Sequence, residues 1–291
     1  MKLVVATCQF PVKADVARNA AAIESQMREA RQRRADVVHF SECCLSGYAG
    51  VDFESFVDFD WAALATATHR IMALAAKLKL WVILGSSHRL SGDHRPHNSL
   101  YLIDDRGRIR DRYDKLFCTG DATGKRYDLK HYSPGDHFVT FELKGVRCGL
   151  LICHDYRYPE LYREYKRQGV ELVFHSYHNG HSTKAKLRRS GNIWGITVPA
   201  VMQANAGNNY LWISANNTSR RESCWPSFAV RPDGTISGRL ALHRAGVLLS
   251  LIDTKSKFYD ASRAWRDRAM RGIFHSGTPV RDRRSRARQS L

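Results

Sequence analysis

The sequence predicts an α/β fold in which helices cover the outer faces of sheets. Strands and helices alternate along the first third of the chain, and several strands are near-continuous runs of Val, Ile and Leu, as is typical of strands buried on both faces. The 43% hydrophobic and 25% charged residues are ordinary values for a folded chain of 291 residues. We expect one large domain over 1–262 and a basic C-terminal extension over 263–291, for which a subunit-contact arm is one interpretation.

The N-terminal elements follow one another regularly. A mostly apolar strand opens the chain, and a helix begins at Asp15, whose short side chain suits an N-cap. A hairpin ends this half, because Asp105-Arg106-Gly107 supplies a turn between two alternating segments. The predicted ranges are a strand at 2–10, a helix at 15–33, a strand at 36–40, a helix at 61–80, a strand at 81–90 and the hairpin at 97–115.

The C-terminal half starts after an irregular stretch at 117–134. Two strands then join through Lys144 and Gly145, and the second strand delivers Cys153. Pro159 favours the first turn of a helix that ends on Gly169. The remaining predicted elements are a strand at 170–176, a helix at about 183–206 interrupted near Gly191 and Pro199, and strands within 208–219, 227–238 and 245–253.

The charge balance is strongly basic. There are 46 Lys and Arg against 28 Asp and Glu, a formal net charge of +18. This balance favours encounters with anions, including nucleic acid, membrane surfaces and carboxylate substrates, without selecting one. No aromatic-interleaved RNA-binding motif, zinc-finger spacing or basic zipper accompanies the charge, so the sequence disfavours specific nucleic-acid binding.

The cysteines and the apolar runs indicate a compartment. Seven cysteines occur, an odd number, and none forms a Cys-x-x-Cys pair. The first residues become polar too soon for a secretory signal, and no apolar stretch approaches the roughly 20 residues of a transmembrane helix. We expect a reduced, cytoplasmic protein that does not span a membrane.

The segment around Cys153 carries the clearest chemical signal. An apolar strand ends at this cysteine instead of at turn residues, and His154 and Asp155 follow at once. A cysteine at the carboxyl end of a strand, just before a helix, is well placed to present its sulfur and the N–H groups beyond it. Such a nucleophile needs a base for its proton and a positive group for developing oxygen charge.

Two other strand ends supply those groups. Glu42 follows the strand at 36–40, and Lys115 ends the hairpin at 97–115. Each residue alone is more often a surface charge. Polar residues at strand carboxyl ends nevertheless gather along one edge of an α/β sheet, although they are far apart in sequence. We therefore expect Glu42, Lys115 and Cys153 to converge.

Three motifs hold these residues: FSECCLSGY, YDKLF and CHDYRYPE. Together they resemble the nitrilase or carbon-nitrogen hydrolase superfamily, which has a Glu after a strand followed by Gly-Tyr, a Lys shortly after a Tyr, and a Cys in a Cys-x-Asp-x-Arg-x-Pro-Glu context. The segments at 199–217 and 227–236 also look like the family's, so the resemblance covers nearly the full length. The Cys-x-Asp-x-Arg pattern is nearest the ω-amidase and generic amidase branches.

The resemblance implies a four-layer α-β-β-α sandwich with Glu42, Lys115 and Cys153 as a catalytic triad. It implies a carbon-nitrogen hydrolase domain over 1–262 that cleaves a small linear amide to a carboxylic acid and ammonia through a cysteine thioester. No metal or organic cofactor is expected. The resemblance also implies at least a homodimer, with the arginine-rich C-terminus reaching across to the partner.

A second active-site carboxylate is usual in this family, and it is a Glu in the stretch before the nucleophile strand. Asp128 occupies that place by alignment, and Asp121 is the other candidate. Asp is shorter than Glu by one methylene, which leaves open whether it reaches Lys115. The alternative is an exposed loop residue.

Further residues are candidates for the substrate pocket. Tyr48 and His178 follow strand ends, and His154 adjoins the nucleophile. Arg157 either joins Asp155 in bracing the turn or clamps a substrate carboxylate bidentately. A metal site built from His154, His175, His178 and His181 is disfavoured, because their spacing matches no His-Glu-x-x-His helix.

Three rival functions stay open. Hydrolysis of an N-carbamoyl amide and hydrolysis of a nitrile would use the same triad. The third is a basic interaction protein that keeps the fold without catalysis; Asp128 in place of Glu and the net charge favour it, and it would bind polyanions in a salt-sensitive way.

Overall fold

The computed structural model of the chain describes residues 1–180 and 182–289. The strands are β1 Lys2–Gln9, β2 Val37–His39, β3 Trp81–His88, β4 His97–Ile103, β5 Ile109–Asp114, β6 Thr140–Leu143, β7 Val146–Ile152, β8 Leu172–Ser176, β9 Trp212–Asn216, β10 Phe228–Val230, β11 Ile236–Arg239 and β12 Gly246–Asp253. The helices are α1 Val16–Gln32, α2 Trp61–Leu78, α3 Asp128–His131, α4 Pro159–Arg167, α5 Lys184–Ser190, α6 Ile193–Asn209, α7 Arg266–Met270 and α8 Arg283–Arg286.

The strands form two six-stranded sheets. The first sheet has the order β12-β1-β2-β3-β4-β5, and the second has the order β11-β10-β9-β8-β7-β6. Strands β1, β2 and β3 run parallel in the first sheet, and β7, β8 and β9 run parallel in the second. The carboxyl ends of these central strands therefore lie at one edge of each sheet, where the predicted site residues follow.

Alternating side chains build four layers. Val37 in β2 packs in one core with Leu150 of the second sheet, whereas the next residue, Val38, packs in another core with Ile23 of α1 and Ile71 of α2. Successive strand residues point to opposite faces, so one face of the first sheet meets the second sheet and the other meets helices. Helices α4 and α6 cover the second sheet in the same way. The predicted α/β class and the four-layer α-β-β-α sandwich are both confirmed.

Local signals account for most helix boundaries. The Asp15 carboxylate accepts a hydrogen bond from the N–H of Arg18 at 3.0 Å, as an N-cap of α1 does. The expected break near Gly191 is present between α5 and α6. The expected break at Pro199 is wrong, because α6 continues through this proline. Val198 and Met202 are buried on either side of it, and that packing outweighs the poor fit of proline in a helix interior.

The basic C-terminal segment has two parts. Helix α7 is attached to the main body, since the buried Arg266 forms an ion pair with Asp260 and donates to the carbonyl of Asn208 at 3.0 Å. All residues from 271 to 289 are exposed. Among the described residues, no helix is long and apolar enough to cross a membrane.

Candidate active site

Cys153 lies at the tip of β7, as the first residue of a 3₁₀ turn, Cys153–Arg157. Its φ angle is +40°, in the left-handed region that residues other than glycine seldom adopt. Asp155 holds the turn: its buried carboxylate accepts hydrogen bonds from the N–H groups of Ile152 and Phe117, each at 2.9 Å, and from the Tyr113 hydroxyl at 2.8 Å. The turn is therefore braced on the strand and on the loop after β5.

Lys115, directly after β5, is fully buried between two carboxylates. Its Nζ donates to Glu42 Oε1 at 2.8 Å and to Asp128 Oδ2 at 2.7 Å. Tyr48 completes the cluster, because its hydroxyl donates to Asp128 Oδ1 at 2.5 Å and lies 3.3 Å from Lys115 Nζ. The predicted convergence of strand ends is present, and Asp128 reaches Lys115 despite its shorter side chain.

The electrostatics of this cluster follow from burial and pairing. Burial opposes the charge on Lys115, but the carboxylates of Asp128 and Glu42 outweigh it and hold the pKa of Lys115 well above its usual value. Burial likewise raises the pKa of Asp128, yet Lys115 and the hydrogen-bond donors lower it below its usual value overall. Lysine and aspartate are both charged near neutral pH.

The Cys153 thiol is in the opposite situation. Burial raises its pKa well above the usual value, the Glu42 carboxylate raises it further, and Lys115 opposes them without reversing the shift. The thiol is therefore protonated in the resting protein, next to a carboxylate able to remove its proton during a reaction.

Asn98 belongs to the cluster although sequence reasoning missed it. Its side-chain Nδ2 donates to Glu42 Oε1 at 2.7 Å, and its main-chain carbonyl accepts a hydrogen bond from the N–H of Lys115 at 2.9 Å. The hairpin register contained the signal: Ser99 pairs with Asp114, which places Asn98 opposite Lys115. Asn98 thus aligns the lysine and the glutamate together.

A pocket of about 280 Å³ opens above Cys153. Its wall includes Cys153, His154, Arg157, His178, Lys186 and Trp194. Three predicted pocket residues, His154, Arg157 and His178, do line it, whereas Tyr48 lies in the buried cluster and stacks on His178 with ring centroids 5.2 Å apart. The guanidinium of Arg157 packs on the rings of Tyr156 and Trp194. Among the described residues it forms no ion pair with Asp155.

The remaining candidates are placed as follows. Asp121 is exposed in its loop, so Asp128 is the aspartate at the cluster. His178 Nε2 lies 3.0 Å from Asp52 Oδ2, and burial lowers the pKa of His178 to about 4. His175 Nε2 lies within hydrogen-bond distance of the main-chain carbonyl of Cys153, while His181 lies outside the described residues. Within the described residues, no group of three or more His, Cys, Asp or Glu side chains has an arrangement suited to a metal ion.

Comparison with known proteins places this arrangement in a family. The sequence pattern of the carbon-nitrogen hydrolase family matches residues 4–257. The chain belongs to the carbon-nitrogen hydrolase family. The resemblance seen in the three motifs is therefore confirmed.

This carbon-nitrogen hydrolase is similar to several amidases. It is 29% identical to the N-carbamoylputrescine amidase of Arabidopsis thaliana over 225 residues, which cover 76% of this chain and 72% of that protein. It is 28% identical to omega-amidase NIT2 of Homo sapiens over 152 residues, covering 51% of this chain and 54% of that protein. An amidase from Nesterenkonia sp. shares its fold, with a TM-score of 0.73 at 18% identity over 93% of this chain and 95% of that chain.

Proposed function

We propose that this protein hydrolyses a small linear amide to a carboxylic acid and ammonia, with Cys153 as the nucleophile. The observation that carries the proposal is the buried cluster in which Lys115 bridges Glu42 and Asp128 beneath the cysteine pocket. The amidase relatives support the same reaction class. In a variant of the Nesterenkonia amidase, acrylamide is added at the active-site cysteine, which supports a cysteine nucleophile here.

Acylation begins with the thiol. Cys153 Sγ attacks the amide carbonyl carbon and forms a C–S bond, while Glu42 takes the thiol proton and the carbonyl electron pair moves onto oxygen. The tetrahedral intermediate then collapses, the C–N bond breaks, and Glu42 gives its proton to the departing ammonia. The product of this half-reaction is a thioester on Cys153.

Deacylation follows the same order of proton transfers, with water in place of the thiol. Glu42 removes a proton from water, whose oxygen attacks the thioester carbon; the C–S bond breaks, the acid leaves, and the proton returns to the sulfur. In both halves the ammonium group of Lys115 and the N–H after Cys153 stabilise the oxyanion. Asp128 and Tyr48 hold Lys115 in place.

The test compares single cysteine variants. Ammonia release from a panel of small amides, nitriles and N-carbamoyl amino acids is measured for the native protein and for Cys153→Ala. Cys8→Ala, the same change at a cysteine in β1, is the matched control. We expect release to vanish only in Cys153→Ala. If the native protein and both variants are folded and none of them releases ammonia, the result would instead favour a basic interaction protein that keeps the fold without catalysis.

An N-carbamoyl amide is the second candidate substrate. Arg157 and Lys186, both in the pocket wall, suit the carboxylate of an N-carbamoyl amino acid. Carbon dioxide released together with ammonia distinguishes this reaction from simple amide hydrolysis, and ammonia release from a nitrile distinguishes the nitrilase alternative.

We also propose a homodimer that forms around the nucleophile helices. Ile193 and Ile196, three residues apart on one face of α6, are 44% and 64% exposed, and together they offer an apolar contact surface for a partner. The basic C-terminal extension, residues 263–291, would then serve as the contact arm beyond the 1–262 domain, and its residues 271–289 are exposed. A monomeric mass in light scattering would contradict this assembly.

All seven cysteines are free, which supports a reducing, cytoplasmic location.

A further inference from the structure

Three consecutive residues, the last two of β8 and the one directly after it, bond to main-chain groups of Cys153, Phe40 and Glu42. His175 Nε2 lies 3.1 Å from the carbonyl oxygen of Cys153. The Ser176 hydroxyl donates to the carbonyl of Phe40 at 2.9 Å, two residues before Glu42. The carbonyl of Tyr177 accepts the N–H of Glu42 itself at 3.2 Å.

This contact set joins two sheets. Cys153 follows β7 of the second sheet, whereas Phe40 and Glu42 follow β2 of the first. Side chains along β8 alternate between faces, so His175 reaches the turn on one side and Ser176 reaches the facing sheet on the other. One stretch of backbone, residues 175–177, therefore contacts the segments that carry both the thiol and the carboxylate.

The bonds of His175 fix its ionisation and its tautomer. A carbonyl only accepts, so Nε2 carries the proton and donates to Cys153. The ring is fully buried, and burial lowers its pKa to about 3, so it is neutral near pH 7. Nδ1 is then the acceptor for the Tyr162 hydroxyl, 2.6 Å away. Tyr177 stacks on the ring at 4.4 Å between centroids and leaves it little freedom to rotate.

We propose that His175 is a positioning residue for the nucleophile, and that residues 175–177 set the placement of Cys153 against Glu42. The Cys153 backbone is in the left-handed region, which persists only where surrounding contacts hold it. The Nε2–H bond restrains the carbonyl of that residue. Without it, the turn relaxes and the thiol moves away from its base. The catalytic part of this inference rests on the proposed function.

The test uses His175→Phe, which keeps a ring but removes both nitrogens, and His175→Gln, whose amide N–H partly replaces Nε2–H. His175 is fully buried and is not part of the pocket wall, so we expect little effect on substrate binding. We expect His175→Phe to lower kcat about 10- to 100-fold with KM within about twofold, because small misplacements of reacting groups are costly. His175→Gln is expected to recover part of that loss.

Alkylation of Cys153 by iodoacetamide gives a readout independent of amide turnover. We expect it to be about tenfold slower in folded His175→Phe, because the thiol is farther from the base that deprotonates it. The matched control is His137→Phe, since His137 Nε2 also bonds a main-chain carbonyl, that of Arg112, at 2.8 Å. In His137→Phe, the rate of Cys153 alkylation and the amide turnover should both match those of the native protein.

The outcomes separate this inference from the proposed function. Native alkylation and native kcat in folded His175→Phe would overturn the positioning role. A native protein that releases no ammonia would overturn the proposed function, and the alkylation comparison would still decide the role of His175. If His175→Phe does not fold, His175→Gln and Tyr162→Phe decide it: both must slow alkylation, and native rates in both would overturn the inference.

Discussion

Replacing Asp128 by asparagine isolates the charge that the structure places on the far side of Lys115. Lys115 Nζ lies 2.7 Å from Asp128 Oδ2 and 2.8 Å from Glu42 Oε1. Asparagine has nearly the same shape without the charge. In Asp128→Asn, the buried ammonium therefore keeps a single carboxylate partner.

The magnitude follows from the bonds that are lost. The Asp128 carboxylate accepts hydrogen bonds from Lys115, from the Tyr48 hydroxyl and from the N–H of Thr119. A charge-assisted bond contributes about 1.5–3 kcal/mol, and an amide NH₂ facing donors leaves a further bond unmade at about 1 kcal/mol. Removing one partner of a buried pair costs about 3–5 kcal/mol, which the remaining Glu42 reduces. We expect a loss of about 2–4 kcal/mol in the free energy of unfolding near pH 7.

The pH dependence has a definite sign. The folded protein holds the pKa of Asp128 below its usual 3.8, since Lys115 and the donors outweigh burial. Its carboxylate contribution is therefore fully present above pH 3.8 and is lost as the pH falls through the lower, folded value. The difference between native protein and Asp128→Asn should stay constant around neutrality and shrink at acidic pH.

The assay is urea unfolding with ammonia release measured in parallel. We expect an unchanged m value and a fall in kcat/KM of about 100-fold, as for the loss of one preorganised electrostatic group. Asp121→Asn, in the same loop but exposed, should stay within about 0.5 kcal/mol of the native protein. A native-like free energy of unfolding and native turnover in Asp128→Asn would refute the reasoning.

Three further predictions concern the turn of Glu42, its partner Asn98 and the pocket. A Cβ on Gly85 would lie 2.0 Å from the carbonyl oxygen of Ser41, so Gly85→Ala should lower the free energy of unfolding by about 1–3 kcal/mol and reduce activity. The control is Gly207→Ala in α6, where the nearest atoms to the new Cβ are 3.8 Å away; in the same urea titration it should be neutral or stabilising. Asn98→Ala removes one hydrogen-bond donor from Glu42 Oε1 and should lower kcat about tenfold or more with little change in KM. An unchanged kcat would show that Asn98 has no part in catalysis. Arg157→Met should raise KM for carboxylate-bearing amides and leave KM for neutral amides unchanged, and an equal effect on both would exclude a carboxylate contact.

The fold and the centre of the site were accessible from sequence because their signals are local. Glu42, Lys115 and Cys153 each follow a buried strand, and the carboxyl ends of neighbouring strands share an edge. Asp128 was located by its motif neighbourhood, although spacing alone did not show that its shorter side chain reaches Lys115.

The residues that were missed depend on how strands pair and how sheets face each other. Asn98 joins the cluster through the hairpin register, which a shift of one residue would undo. His175 and Ser176 act across the boundary between the two sheets, and no periodicity in the chain reports how two sheets are placed. Pro199 predicted a helix break that is absent, because the tertiary packing of α6 outweighs the local preference of proline.

The most direct test of the account is intact-mass and peptide mass spectrometry of the native protein quenched in acid during amide turnover. Acid protonates the base and preserves a thioester. We predict a mass increase equal to the acyl group of the substrate, located on the peptide that contains Cys153 and absent from Cys153→Ala. Turnover that continues in Cys153→Ala, or an acyl group found on another residue, would contradict the mechanism.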